Sequence, residues 1–213
     1  MKQNETQSLF QYWDRLRADR IAPLRTDIEP ADIKKLLADT FILEKDARGE
    51  AVFRLAGTRL CATYGRELKG FSFISLWKEK DQRLVRRLSQ NVFSSQSVVV
   101  LTFEGVSREG RTSFFELLLL PLDGGSANPR CLGIVSALKK TYWLGTDPIV
   151  EAALEAVRVI DPAAESTRSA ARHILPVPTL APDTSALTAD ADSARSNGRR
   201  FRHLVVLDGG RGG

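Results

Sequence analysis

Leu9, Trp13 and Leu16 recur at i, i+4 and i+7 while Asp14, Arg15 and Arg17 fall on other faces, a spacing that predicts an amphipathic helix over 6–19. Pro23 stops it, and Arg25 to Pro30 reads as a turn. Ile33, Leu36 and Leu37 then predict a helix over 30–37, with Pro30 in its first turn, where the missing N–H costs nothing. The β-branched and aromatic Thr40–Leu43 and the alternating AVFRLA (51–56) predict a hairpin turned by DARGE (46–50). Gly57 and Thr58 open a short helix, RLCATYG, which Gly65 closes. Phe71 to Trp77 reads as an irregular or one-turn stretch, and residues 79–93 as a longer helix with Leu84, Val85, Leu88 and Val92 inward. Three long strands follow, at 97–106, 111–122 and 131–140.

The element order is therefore α-α-β-β-α-α-β-β-β, an α+β protein. Runs such as VVVL and LLLL place apolar residues on consecutive positions, so parts of both sheet faces should be covered. After Gly145 the pattern weakens. Val150, Leu154 and Val157 predict a modest helix over 148–160, and residues 161–200 hold few large apolar groups. That composition cannot offset the entropy of ordering, so it reads as a flexible linker. His203–Leu207 reads as a lone strand that needs a sheet edge or a partner.

Charge follows the same division. The chain carries 31 Lys and Arg against 26 Asp and Glu. Residues 1–145 hold 23 basic and 17 acidic side chains, residues 146–213 only 8 and 9, and no aromatic residue lies between Trp143 and Phe201. The division of the chain is 1–39 as an N-terminal helical cap, 40–145 as the folded domain, 146–200 as the short helix and linker, and 201–213 as the strand-like segment. No apolar run approaches the roughly 18–20 residues needed to span a bilayer. The first ten residues, MKQNETQSLF, lack the apolar centre of a signal peptide, which predicts a cytoplasmic protein. Cys61 and Cys131 form no CxxC pair, which argues against a disulfide scaffold or a cysteine zinc site. The only histidines, His173 and His203, lie outside the basic body, so neither a histidine triad nor a histidine metal centre is expected within it.

A hairpin, short helices, one longer helix and three long strands is the element order of a PAS domain. YWDRLRADRIAPLRTDIEP (12–30), FRLAGTRLCATYGRELKG (53–70), LLLLPL (117–122) and WLG (143–145), in that order, resemble the small bacterial PAS regulatory family typical of alphaproteobacteria. The resemblance covers about 8–145 and implies a five-stranded antiparallel sheet flanked by helices, with an N-terminal amphipathic helix. It further implies a cytoplasmic sensory or regulatory module, commonly a homodimer, that is not an enzyme and signals through a regulatory protein partner. With no recognisable output domain in the sequence, contact is the expected route for the signal.

A PAS ligand usually lies between the sheet and the helices that cross it. Here those helices offer Arg59, Cys61, Tyr64, Phe71, Phe73 and Trp77, with aromatics for contact area and Arg59 for an anion or carbonyl. The competing reading is that the rings simply fill the core. A His-ligated haem is excluded from the body, and Cys61 is left as the one haem thiolate candidate. Flavin is disfavoured, because RLCATYG lacks the Asn and Gln that such sites use. Leu9, Trp13 and Leu16 would form a dimer interface or an intramolecular cap.

Two other functions compete. Arg54, Glu104 and Glu116 interrupt apolar strands, and Glu104 with Glu116 would be the acid–base pair of a small-molecule enzyme. No nucleophile, metal set, GxGxxG or P-loop accompanies them, and outward residues paired across strands are the simpler reading. Lys80, Arg83 and Arg87, beside Arg86 and RRFRH (199–203), could instead meet nucleic acid. Interleaved aromatics and a helix-turn-helix pattern are missing, which favours a solvated helix face.

Overall fold

The computed structural model describes residues 1–95, 97–124, 129–160, 200–201 and 204–205. The chain forms two units, Met1–Leu175 and Pro176–Gly213. In the first, helix α1 (Asn4–Arg17) precedes the hairpin β1 (Thr40–Lys45) and β2 (Ala51–Ala56). Helices α2 (Thr58–Tyr64) and α3 (Glu79–Ser95) follow, then β3 (Val98–Ser107), β4 (Thr112–Leu122), β5 (Arg130–Ala137) and β6 (Ile149–Ile160). These strands form one antiparallel sheet in the order β2-β1-β5-β4-β3-β6.

The sheet is thus PAS-like but six-stranded, not five-stranded. The extra strand is the segment whose spacing predicts a helix over 148–160. Ala and Glu in EAALEAVRVI favour a helix, but that preference is weak and tertiary pairing overrides it. The edge of β3 supplies that pairing, in register from Val98 opposite Ile160 to Ser107 opposite Ile149, with one irregularity at Thr102/Phe103 and one at Val106/Ser107. β6 also pins the start of α3: Lys78 N–H donates to Ala152 O at 2.8 Å and Leu154 N–H to an Asp81 carboxylate oxygen at 2.9 Å. The sheet therefore continues past residue 145, where the folded body was expected to end.

The helix expected over 30–37 is a series of turns that ends in a short 3-10 segment, Leu37–Asp39. Its bonds are mostly i to i−3, such as Leu36 N–H to Ile33 O at 2.8 Å. So short a stretch is marginal as a helix unless packing supports it, and of its three apolar residues only Ile33 is buried.

Both sheet faces are covered around β4. Leu117 and Leu119 point into the core under α2, α3 and the 71–77 stretch, while Leu118 and Leu120 point into a second core beneath α1. That alternation accounts for LLLL at four consecutive buried positions. Gly133 of β5 lies under the Phe41 ring, so close that an added Cβ would sit 2.2 Å from the ring. Gly65 closes α2 in the left-handed conformation at φ 62°, as the sequence predicts.

In the second unit β7 (Arg200–Phe201) pairs antiparallel with β8 (Leu204–Val205). The lone strand expected over His203–Leu207 is thus a short strand pair at the described positions. His203 and Val206–Leu207, the linker 161–199 and the terminal 208–213 lie outside the described residues.

Candidate functional site

The space between the sheet and its crossing helices is occupied by rings. Phe41 meets Phe53 at 5.5 Å between centroids and Phe73 at 6.2 Å, and Phe53 meets Phe73 at 5.8 Å. From Phe73 the contacts continue to Trp77 at 5.9 Å, to Phe103 at 5.1 Å and to Phe115 at 5.0 Å. Edge-to-face and offset stacking at these separations adds about 0.5–1.5 kcal/mol per pair beyond area burial. One polar atom in this region is unsatisfied: Trp77 Nε1 is buried without a hydrogen-bond partner.

The six residues expected to form a ligand pocket separate. Tyr64, Phe73 and Trp77 lie in this core, and burial pushes the Tyr64 hydroxyl pKa well above its ordinary value. Arg59 turns outward to an ion pair with Asp39. Desolvation nevertheless raises the Asp39 pKa, against the pull of Arg59. Phe71 is 43% exposed, with the Arg66 guanidinium 4.7 Å from its ring centre. Cys61 is half-buried at the rim, its Sγ 3.7 Å from Glu67 Oε1, and burial raises its thiol pKa. None of the six lines either the hollow beside β2 or the one at the end of β4. The hollow beside β2, about 290 Å³, is lined by Phe53, Gly70, the Glu44–Arg54 pair and their neighbours.

The opposite face is built around α1. Leu9 and Trp13 are fully buried, Leu16 partly so, and all three pack within their own chain against residues such as Leu118, Leu120 and Ile134. Trp13 Nε1 donates to Pro121 O at 2.7 Å. Tyr12 fastens the segment that follows: its hydroxyl accepts from Glu29 N–H at 2.9 Å and donates to Glu29 O at 3.3 Å. This cap arrangement is one of the two roles expected for Leu9, Trp13 and Leu16.

Glu116 departs from its expected place as an exposed outward residue. It is 2% exposed, and both carboxylate oxygens accept backbone N–H groups: Lys2 at 2.8 and 3.1 Å and Gln3 at 3.1 Å. It therefore holds the N-terminus of α1, where a negative charge is favoured by the helix dipole. Glu104 lies opposite Phe114, and Glu116 opposite Thr102, so the two carboxylates are not direct cross-strand partners. The charge within an apolar run was the sequence's signal of a special role, but nothing in it pointed to the N-terminal amides. A second tie gave no signal at all. Ser107 Oγ donates to the buried Asp147 at 2.5 Å, joining the β3–β4 turn to the stretch before β6. Among the described residues, no group of His, Cys, Asp and Glu is placed to hold a metal, and no helix is long and apolar enough to cross a membrane.

Residues 1–136 match the model of a family described as PAS domain. The chain belongs to the PAS domain family. The match spans α1 and the cap as well as β1 to β5, and stops before β6. Among solved structures, the PAS domain is similar to that of an HTR-like protein from Haloarcula marismortui, at 21% identity and TM-score 0.38, covering 51% of this chain and 90% of that one. It is also similar to an RNA-binding light-oxygen-voltage receptor, at 13% identity and TM-score 0.39, covering 70% of this chain and 39% of that one. No curated protein sequence matches the chain.

Proposed function

We propose that this PAS domain is a cytoplasmic sensory module of the small bacterial regulatory type, which passes its signal by contact with a regulatory protein and works as a homodimer. Membership of the PAS family supports a sensory or regulatory role. The filled inner core supports contact over ligand capture: the rings from Phe41 to Phe115 occupy the region where a PAS ligand would bind. The α1 cap, docked through Trp13 and Glu116, is the element whose position a partner would read or change.

A ligand-gated version is favoured by one observation, the buried indole N–H of Trp77 that lacks an acceptor. Leaving such a group unpaired costs about 1–3 kcal/mol, which a small carbonyl- or oxygen-bearing molecule would recover. Mass spectrometry of natively purified protein separates the two versions. The contact reading expects the bare chain mass, and a stoichiometric small molecule would overturn it in favour of the ligand-gated one. Light scattering tests the homodimer separately, where a monomer mass across micromolar concentrations would remove that part.

A further inference from the structure

We infer that the outer face of the sheet carries an oxyanion site, formed by Arg25 and Arg130, that takes the phosphate or carboxylate group of a small ligand. A hollow of about 340 Å³ is lined there by Leu24, Arg25, Thr26, Asp123, Gly124 and Arg130. The Nε of Arg130 is buried and has no hydrogen-bond partner. Among the described residues, neither Arg25 nor Arg130 takes part in an ion pair.

The two cations are held by backbone. Asp123 N–H donates to Pro23 O at 2.8 Å and Arg25 N–H to Asp123 O at 3.1 Å, which fastens the strap after α1 to the end of β4. Arg130, the first residue of β5, is in register with Leu122 on one side and Glu44 on the other. The acidic groups around the hollow are engaged. Glu44 pairs with Arg54 at 3.1 Å, and Asp27 accepts from Arg20 at 2.6 Å and from Leu24 N–H at 3.0 Å. Asp123 also has a partner. Two guanidinium groups without counter-ions, one with a buried N–H left over, match the planar oxygen pairs of a phosphate or carboxylate. The Asp123 carboxylate on the rim disfavours a highly charged ligand, so a single oxyanion group is the fit. An anion held there would join the strap to β5. This site is on the opposite side of the sheet from the aromatic core and does not depend on how the domain signals.

The test is an NMR titration of 15N-labelled protein with sodium phosphate and, separately, sodium acetate, at ionic strength held constant with sodium chloride. Saturable shifts of the Arg130 Nε–H and of the Thr26 and Asp123 amides are expected. Arg130→Gln should weaken phosphate binding about tenfold or more, the loss of one charged hydrogen bond. Arg25→Gln is a second variant, at a half-exposed position on the strap, and keeps the test open if Arg130→Gln does not fold. A response to phosphate alone identifies a phosphate-bearing ligand, and an equal response to acetate a carboxylate. Linear, unsaturable shifts would overturn the proposal. So would wild-type affinity in both variants, or a response centred on Lys80, Arg83 and Arg87 of α3.

Discussion

Replacing Glu116 with Gln tests how the cap is held. The carboxylate accepts three contacts of 2.8 to 3.1 Å from two backbone N–H groups, in a site 2% exposed. Hydrogen bonds to a charged group contribute about 1.5–3 kcal/mol, roughly twice their neutral equivalents. Gln keeps the size and one oxygen, which at Oε1 still accepts from both N–H groups, but it sets an NH2 where Oε2 stood, 2.8 Å from the Lys2 nitrogen, donor against donor. A loss of about 1–2 kcal/mol follows, with some tenths more from the missing charge at the helix N-terminus. Ala removes the acceptor from both N–H groups, and the loss rises to about 2–4 kcal/mol. Urea unfolding gives the totals, and native-state amide exchange places them: the Lys2 and Gln3 amides and the first turn of α1 should exchange faster, while β3 and β5 change only with global stability. Unchanged exchange at Lys2 and Gln3 in Glu116→Gln, with an unchanged midpoint, would refute the anchoring role.

Three further outcomes follow from single contacts. Gly133→Ala drives a Cβ into the Phe41 ring and should cost about 1–3 kcal/mol in a thermal or urea melt, since the ring is wedged between Phe53 and Phe73. A stability equal to wild type would show that Phe41 can step aside. Asp39 has a folded-state pKa raised by desolvation, so the native state takes up a proton more readily than the unfolded chain. Its contribution therefore favours folding as pH falls towards and below that pKa and opposes it above. Asp39→Asn should remove that trend and, at neutral pH, be no less stable than wild type; a clear loss there would show that the Arg59 pair outweighs desolvation. Thiol labelling should modify half-buried Cys61 first and the 1%-exposed Cys131 only on unfolding, because burial also pushes the Cys131 thiol pKa up. Equal labelling rates in the native state would contradict that burial.

Much of the fold was legible because its strands carry their burial in their pattern. AVFRLA alternates and is β2, while VVVL and LLLL, apolar on both parities, are strands covered on both faces. β6 was not legible. Ala152 and Ala153 are buried, but Glu155, Ala156 and Arg158 face solvent, and only the waiting edge of β3 makes this composition a strand. The cap was half legible: Leu9 and Trp13 marked a buried stripe, but what covers that stripe depends on β4 and β5, more than a hundred residues away in sequence. The spread of the six candidate residues follows in part from helical geometry. Leu60 and Tyr64 of α2 form its buried i, i+4 pair, so Arg59, one residue before Leu60, is turned away from that face, while Cys61 packs partly buried at the edge of the core.

The same alternation that made β4 readable also gives the proposed signal a short route. Phe115, Leu117 and Leu119 face the aromatic core, while Glu116, Leu118 and Leu120 between them hold the cap. A close-packed interior transmits displacement because it has little free volume to absorb it. A rearrangement around Trp77 or Phe103 that shifts β4 must therefore move the Glu116 carboxylate relative to the amides of Lys2 and Gln3. Hydrogen bonds weaken steeply with misalignment, so the cap is the part of the domain most exposed to such a shift. The sensitivity comes from placing a buried charge on a strand whose two faces are both packed, and a neutral apolar residue at position 116 would leave α1 held by side-chain packing with the Trp13–Pro121 and Tyr12–Glu29 bonds.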